Sequence, residues 1–480
     1  MAKTLKQQTA NAIVWNFIDK FGQQALAFVV WVILSRYFLS SGDYGLIGML
    51  AIFIALSNVL LDSGFSWALI RKQHVSQADL CSVFYCNISI SICLYLILFF
   101  CAPFIANFYN QPILVPLCRV SSLVFLINST SLIQLALLTR ETDFKHITIA
   151  NGVGLSCSII VSFILAFSGC GVWVLVFQNI AFCFVRNIFL WIFSSWRPSL
   201  VFDIKSIRGL WGFSSKVIIT GILNNLFGNV YALIIGKLYY LKDVGYYTQG
   251  SRLPDLSVNA IYGALQSATY PILSKVKDDS ERLKRAFRKV IRVTSFVSFP
   301  VLFGLAAIAS PLVHTLLTEK WAPSIPYIQK LCIAGAFLPL VGTSINILYV
   351  KGLSTKVLIL EIIRKTLILL CILLTIRLSI DALVNGLVIA HIVGFFVGAA
   401  IAGKQIAYKI REQIKDIIPY FVLASLMACA VYMLSYYIQN QLYLLIIQIV
   451  SGCIIYLGAT YLLGSKIFRD VLKLLRKQEF

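Results

Sequence analysis

The sequence has 480 residues, of which 59% are hydrophobic and 12% charged, and its formal net charge at pH 7 is +22. A water-soluble protein carries charge on about a quarter of its residues, so this composition excludes an ordinary soluble globular protein. Because a membrane-spanning helix needs about 20 mostly apolar residues, the sequence predicts an all-α polytopic membrane protein.

Apolar stretches long enough to span a membrane recur along the whole chain, and short polar turns separate most of them. Fourteen are predicted, at residues 11–38, 44–70, 80–105, 114–138, 146–168, 172–194, 209–236, 245–274, 290–313, 326–350, 354–376, 382–402, 417–437 and 443–463. Neighbouring spans that are joined by short turns must run antiparallel to each other.

The loops between these spans differ strongly in charge. Alternate loops on the side of the N-terminus contain 28 Lys and Arg residues, whereas the loops of the opposite side contain four. Cytoplasmic loops of membrane proteins are enriched in Lys and Arg, so both termini are predicted to be cytoplasmic. Basic segments of this kind bind anionic lipid, and nothing in the pattern predicts a nucleic-acid partner.

The two halves of the chain resemble each other weakly, at an offset of roughly 200 residues. The repeat aligns Asp43 with Asp243 and Gly45 with Gly245. Because six spans separate the copies, the halves share one orientation. We therefore predict two pseudo-symmetric six-helix lobes and two extra C-terminal helices, with an N-terminal lobe (1–194), an amphipathic cytoplasmic linker (195–208), a C-terminal lobe (209–402), the extra helices (403–463) and a basic cytoplasmic tail (464–480).

Ionisable residues inside the spans are the candidate functional residues, because a charge facing lipid at mid-bilayer costs about 2.5–3.5 kcal/mol. Arg36 and Lys330 lie near an interface, and Arg186 and Asp62 lie at intermediate depth. The deep set comprises Asp19, Lys20, Lys216, Arg252, Asp255, Glu361 and Arg364.

Two groups of these charges are spaced so that they could pair on one helix face. Arg252 and Asp255 are three residues apart, and Glu361 precedes Arg364 and Lys365 by three and four residues. A structural ion pair and a binding site are both open for each group. The span that contains Arg252 is also interrupted by glycine and proline, which is typical of transporter binding sites.

Motifs for enzymatic or metal chemistry are not found. The twelve cysteines form no Cys-x-x-Cys pair, and the four histidines have no metal-ligand spacing. The segment GAAIAGKQ (398–405) approaches a phosphate-binding loop, but Gln405 replaces the required Ser or Thr. Gly394 and Gly398 are better interpreted as a close helix contact. The sequence therefore predicts a protein that is not an enzyme and holds no metal.

Several blocks of sequence resemble a known family. SRYFLSSGDYGLIGML, LLDSGFSWALIRKQ and LLTRETDFK in the first 145 residues, and LKDVGYYTQGSRLPDL, ATYPILSKVKDDSERLKRAF and EKWAPSIP within 226–352, carry the similarity. They resemble the Wzx-type polysaccharide flippases, in the branch that contains the colanic acid exporter. This family belongs to the multidrug/oligosaccharidyl-lipid/polysaccharide exporter (MOP) superfamily, whose fold has two six-helix lobes around a central cavity.

The resemblance implies a function and a location. The cargo would be an undecaprenyl-diphosphate-linked oligosaccharide, moved to the periplasmic leaflet of the bacterial inner membrane for O-antigen, capsule or exopolysaccharide assembly. A polysaccharide polymerase and a chain-length regulator would be partners, and no cofactor is implied. Family members line the cavity with cations, and Lys20 and Arg252 occupy similar places here.

The charges of the spans agree with an anionic cargo, because they comprise nine bases and four acids. The candidate cations for a diphosphate are Lys20, Arg119, Lys216, Arg252 and Arg364, and Asp19, Asp255 and Glu361 are candidates for coupling to a proton or sodium ion. One alternative is a small-molecule or drug-cation antiporter of the same superfamily. A membrane-embedded glycosyltransferase or polymerase is a further alternative, but it should contain a large outer loop.

Overall fold

The computed structural model describes residues 5–62, 65, 69, 75–463 and 467–468, apart from the side chains of 5–14, 16–18, 21, 62, 209–211, 213, 216–217 and 267–268. Over the described residues the regular structure is helical. The helices are α1 (Leu5–Ile33), α2 (Ser41–Asp62), α3 (Gln77–Tyr109), α4 (Leu114–Ser121), α5 (Leu123–Ser129), α6 (Leu132–Arg140), α7 (Phe144–Phe167), α8 (Trp173–Phe193), α9 (Ile204–Leu238), α10 (Leu241–Lys275), α11 (Ser280–Ala307), α12 (Ala309–Leu316), α13 (Ile325–Gly335), α14 (Leu338–Val350), α15 (Ser354–Thr375), α16 (Ile380–Lys404), α17 (Ile410–Met433) and α18 (Gln441–Leu462). Most of the predicted basic tail lies outside the described residues.

The predicted class, an all-α polytopic membrane protein, is confirmed. Within the described residues ten helices are long and apolar enough to cross a membrane, or eleven if the bent pair Leu114–Ser129 and Leu132–Arg140 forms one span. The other three predicted spans correspond to α1, α10 and α15, which have 29, 35 and 22 residues. These helices are long enough to cross a membrane, but each contains two or three of the charged residues that the sequence places inside the spans. The number of fourteen spans stays a prediction.

The chain divides into two compact units, Met1–Gly245 and Tyr246–Phe480. In the first unit α9 packs against α2 and α3. A Cβ atom added at Gly221 of α9 would lie 2.6 Å from Val59 Cγ1 of α2, and Lys237 Nζ donates a hydrogen bond of 2.7 Å to Phe108 O of α3. The lobe boundaries predicted at 195–208 stay a prediction, because the compact units are defined by contacts and end one helix later.

The aligned residues of the internal repeat occupy equivalent places at the starts of α2 and α10. Asp43 accepts a hydrogen bond from the Ser40 amide, at 2.8 Å, and Asp243 accepts one from the Tyr240 amide, at 3.2 Å. Each aspartate therefore satisfies a backbone donor at a helix start.

The same two helix starts touch each other through glycines, within the first unit. A Cβ atom at Gly45 would lie 2.3 Å from Leu241 O, and one at Gly245 would lie 1.8 Å from Ser41 O. Each glycine of the repeat thus faces the backbone of the other copy, an approach that leaves no room for a side chain.

The predicted linker (195–208) lies against the beginning of α3. The Gln77 side chain donates to Arg197 O at 3.0 Å and accepts from Trp196 Nε1 at 2.8 Å, and the Asp203 amide donates to Ser82 Oγ at 2.7 Å. Asp203 also caps α9, and hydrogen bonds from the Lys205 amide and from Ser206 lower the pKa of its carboxyl. These bonds fix the path between α8 and α9.

Two prolines inside helices leave carbonyl groups that other helices satisfy. A proline removes the hydrogen bond to the carbonyl four residues earlier, which is Phe99 O for Pro103 in α3 and Phe296 O for Pro300 in α11. Arg119 Nε donates to Phe99 O at 3.3 Å, and Tyr456 Oη donates to Phe296 O at 2.9 Å. These hydrogen bonds thus hold α3 to α4 and α11 to α18.

In the second unit a buried carboxylate joins α11 to α17, the first of the extra C-terminal helices. The Asp416 side chain is 5% exposed and lies 2.6 Å from Arg292 Nη2. It also accepts hydrogen bonds from Arg288 Nη2 at 3.0 Å and from Tyr408 Oη at 2.5 Å. All three donors are needed because a buried carboxylate without partners is unfavourable.

Candidate functional site

Each unit contains a group of charged residues that includes some of the predicted site residues. In the first unit Asp19 and Lys20 lie in α1, where Lys20 is exposed and Asp19 half-buried. Asn151 Nδ2 of α7 donates to both carboxylate oxygens of Asp19, at 3.1 and 3.2 Å, and Gln23 donates to Oδ1. The surroundings of the two neighbouring charges therefore differ, since Asp19 accepts hydrogen bonds from side-chain amides whereas Lys20 is exposed.

Arg186 of α8 is a second cation of this group that depth in the sequence did not single out. Asp19 is the acid that acts on it electrostatically, although the two groups form no ion pair within 4.0 Å among the described residues. A Cβ atom at Gly154 of α7 would lie 3.2 Å from Arg186 Cβ. The small residue lets α7 and α8 approach closely, which brings Arg186 into the group.

The remaining predicted cations of the first unit lie elsewhere. Arg119 is held by Phe99, since its guanidinium carbon lies 4.1 Å from the Phe99 ring centroid and its Nε binds Phe99 O. These contacts give a structural reason for an arginine within this span. The Lys216 side chain lies outside the described residues, although its backbone belongs to α9.

In the second unit Arg252 and Asp255 lie one turn apart in α10. Arg252 is half-buried, whereas Asp255 is exposed even though it lies in the middle of a helix of 35 residues. Asp255 is hydrogen-bonded to Ser251, a neutral partner. The predicted pairing of Arg252 with Asp255 stays a prediction.

Glu361 forms the ion pairs that its spacing allows. Arg364 Nη1 lies 2.7 Å from Glu361 Oε1, and Lys365 Nζ lies 4.0 Å from Oε2. The Arg364 side chain crosses α16 at Gly394, where an added Cβ atom would lie 3.3 Å from Arg364 Cγ. The predicted close contact at Gly394 thus makes room for the arginine.

Two residues of this second group were not found from the sequence. Tyr262 of α10 and His391 of α16 both interact electrostatically with Arg364, and His391 Nδ1 is buried without a hydrogen-bond partner. His391 lies one turn before Gly394, on the helix that Arg364 crosses. The three-residue spacing of His391 and Gly394 was visible in the sequence. It points to His391 only once Arg364 is known to lie against Gly394.

The second unit also has an apolar groove of about 750 Å³ between α11, α13, α16 and α17. Its lining contains five phenylalanines and five isoleucines, namely Phe303, Phe337, Phe395, Phe396, Phe421, Ile333, Ile392, Ile414, Ile417 and Ile418. Such a surface suits a hydrocarbon chain.

These groups can attract and orient an anion, but they offer little for covalent chemistry. Both groups contain more bases than acids, with Lys20 and Arg186 beside Asp19, and Arg364 and Lys365 beside Glu361. The described residues contain no cluster of three or more His, Cys, Asp or Glu side chains that could hold a metal ion.

Comparison with known proteins identifies similar sequences. A family model described as polysaccharide biosynthesis protein matches residues 33–326. The succinoglycan biosynthesis transport protein ExoT of Rhizobium meliloti (strain 1021) is 26% identical over 353 residues, which cover 73% of this chain and 71% of that protein. The lipopolysaccharide biosynthesis protein WzxC of Escherichia coli (strain K12) is 25% identical over 343 residues, which cover 69% of this chain and 68% of that protein.

Solved structures share the fold. The lipid II flippase MurJ in an inward closed conformation matches 96% of this chain and 100% of its own, with a TM-score of 0.77 and 17% identity. An inward-facing multidrug resistance transporter of the MATE family matches 82% of this chain and 98% of its own, with a TM-score of 0.66 and 18% identity. The predicted resemblance to Wzx-type proteins and the predicted MOP-superfamily fold are confirmed. Since the family model matches more than half of the chain, the protein belongs to the polysaccharide biosynthesis protein family.

Proposed function

We propose that the protein is a flippase that moves undecaprenyl-diphosphate-linked oligosaccharide repeat units from the cytoplasmic to the periplasmic leaflet. The observation that carries this proposal is the excess of bases over acids in the charged group of each unit. A diphosphate needs cations, and Arg pairs with phosphate oxygens in a bidentate manner. The relatives ExoT, named as a transport protein, and MurJ, named as a lipid flippase, support the same type of activity.

The apolar groove supports a lipid-linked cargo. A polyprenyl tail is a long hydrocarbon, and a groove of about 750 Å³ lined mainly by phenylalanine and isoleucine offers it an apolar surface. In the proposed mechanism, the two lobes rock to give alternating access, the head group binds the cations and the tail stays in an apolar environment.

Among the three acids proposed for ion coupling, Asp255 fits best. Asp19 already accepts hydrogen bonds from two amides, and Glu361 is paired with two bases. Asp255 is exposed and has a neutral partner in Ser251. A proton or sodium ion could therefore neutralise Asp255 without displacing the partners that already occupy Asp19 and Glu361.

A small-molecule or drug-cation antiporter is the second candidate, because the MATE transporter shares the fold with a TM-score of 0.66. A cationic drug would favour a surplus of acids at the site. The observed surplus of bases favours the anionic cargo instead.

The proposal includes a location and partners. The excess of Lys and Arg in alternate loops supports a bacterial inner-membrane protein with both termini in the cytoplasm. After translocation, a polysaccharide polymerase and a chain-length regulator would use the repeat unit for O-antigen, capsule or exopolysaccharide assembly.

Loss of the gene, followed by analysis of lipid-linked glycans, tests this function. We expect complete repeat units to build up on the cytoplasmic leaflet. Complementation with Arg252→Ala should lower export by about tenfold, since a charge-assisted bond contributes about 1.5–3 kcal/mol. Arg377→Ala, which removes an exposed base between α15 and α16, is the matched control and should restore export.

Other outcomes would contradict parts of the proposal. Incomplete repeat units in the deletion strain would indicate a transferase, and unchanged glycans would exclude both functions. Normal export with a stably inserted Arg252→Ala protein would remove Arg252 from the site.

A further inference from the structure

The first unit contains a small chamber that is lined by Arg186 and by none of the deep charges predicted from the sequence. Its volume is about 200 Å³. The lining residues come from α2, from α8 and from both sides of the break between α5 and α6, namely Asn58, Leu61, Asn128, Ser131, Leu132, Leu135 and Arg186. Four of these side chains can donate hydrogen bonds.

The chamber is built around a break in a membrane span. Leu114–Ser129 and Leu132–Arg140 are bent by 45°. Side chains of α8 form hydrogen bonds with Thr130, the residue at the break. Asn187 Nδ2 donates to Thr130 Oγ1 at 2.6 Å, and Trp191 Nε1 donates to Thr130 O at 3.1 Å. Non-helical backbone at membrane depth persists where it is buried in protein or lines a cavity. The break is thus fixed by the same helix that carries Arg186.

Arg186 is the charged group of the chamber. Its Nε is buried and has no hydrogen-bond partner. The described residues give Arg186 no other hydrogen bond or ion pair, and Cys183 and Asp19 act on it electrostatically. A guanidinium has five donors, and leaving a buried charged donor unsatisfied is costly. The guanidinium of Arg186 can therefore donate hydrogen bonds to an acceptor group that enters the chamber.

We propose that this chamber binds the diphosphate group of the cargo when the lipid arrives from its leaflet of origin. The inference rests on the proposed flippase function. Pockets for drug-sized ligands start at about 300 Å³, so the chamber is too small for an oligosaccharide and suits one compact oxyanion. Arg186 supplies two parallel N–H donors, while the side-chain amides of Asn58 and Asn128 supply neutral donors.

The position along the helix agrees with this role. Arg186 lies seven residues before the last residue of α8, Phe193, which is about 10 Å at 1.5 Å per residue. In the proposed orientation α8 ends at the cytoplasmic side. The chamber then lies in the half of the span that faces the leaflet where the lipid-linked unit is made. Asp19 balances the arginine before the anion binds.

Binding of undecaprenyl diphosphate to the full-length protein in nanodiscs tests the proposal, with inorganic pyrophosphate as a second probe. Arg186→Gln should weaken lipid binding by about tenfold, which corresponds to the loss of one charge-assisted contact. Arg186→Lys keeps the charge but loses the two parallel N–H donors, so it should weaken binding less. Arg197→Gln is the matched control, because Arg197 is exposed and already donates to Ser194 O and Trp196 O; it should bind like the wild type.

The two probes separate failure of the chamber from failure of the flippase function. Lipid binding that is equal in wild type, Arg186→Gln and Arg186→Lys would overturn the chamber proposal while leaving the function intact. Arg186-dependent binding of pyrophosphate without binding of the lipid would support an oxyanion site but contradict the lipid cargo. If Arg186→Gln does not fold, as judged by its melting curve, Arg186→Lys carries the test, and wild-type affinity in that variant would overturn the proposal.

Discussion

Gly245→Ala should destabilise the protein by about 3 kcal/mol, the upper part of the range for overpacking. The added Cβ atom would lie 1.8 Å from Ser41 O, a backbone atom that cannot move without shifting the start of α2. The melting temperature of the purified protein in detergent should fall by several degrees. Gly45→Ala should also lower the melting temperature, because its Cβ atom would lie 2.3 Å from Leu241 O.

Gly228→Ala in α9 is the matched control. A Cβ atom there meets no atom within 4 Å, so the substitution should be neutral or slightly stabilising, as alanine is in a helix interior. If Gly245→Ala melted at the wild-type temperature, the backbone contact between the starts of α2 and α10 would be contradicted.

Asp416→Asn should cost about 2–3 kcal/mol and loosen α17 from α11. The substitution removes the charge that neutralises Arg288 and Arg292, and breaking a buried ion pair costs about 3–5 kcal/mol. The expected value is lower because the two arginine side chains are 42% and 31% exposed, so that solvent screens them in part. The melting temperature of the purified protein measures the effect.

Asp381→Asn provides the comparison for an exposed carboxylate. Asp381 pairs with Lys330 but is 59% exposed, and exposed pairs contribute about 0–1 kcal/mol. A melting temperature for Asp416→Asn as high as that of Asp381→Asn would show that the Asp416 network does not hold the two helices together.

Part of the architecture could be predicted from the sequence because it depends on local spacing. The offset of the repeat identified Asp43 and Asp243, which satisfy backbone donors at equivalent helix starts. The spacing of Glu361 and Arg364 allowed the ion pair that the structure contains. The alignment did not show that Gly45 and Gly245 each face the other copy, since that contact depends on how two distant helices cross.

The candidate site was predictable only in part, because depth in a span does not determine what surrounds a side chain. Arg119 was a predicted cation of the site, but Pro103 leaves Phe99 O without its helical donor and the arginine replaces that donor. Pro103 was visible in the sequence, but the sequence did not show which residue of another helix donates to the carbonyl that the proline leaves free. Arg186 lies at intermediate depth, and its proposed role follows from the broken span beside it.

The most direct test of the flippase proposal is transbilayer movement of the cargo in liposomes that contain only this protein. Undecaprenyl-diphosphate-linked oligosaccharide is placed in one leaflet, and its appearance in the other is measured with a reagent that cannot cross the membrane. We predict faster movement with the wild-type protein than in protein-free liposomes, and slower movement with Arg252→Ala than with the wild type. Movement no faster than in protein-free liposomes, with protein that is folded and inserted, would contradict the proposed function.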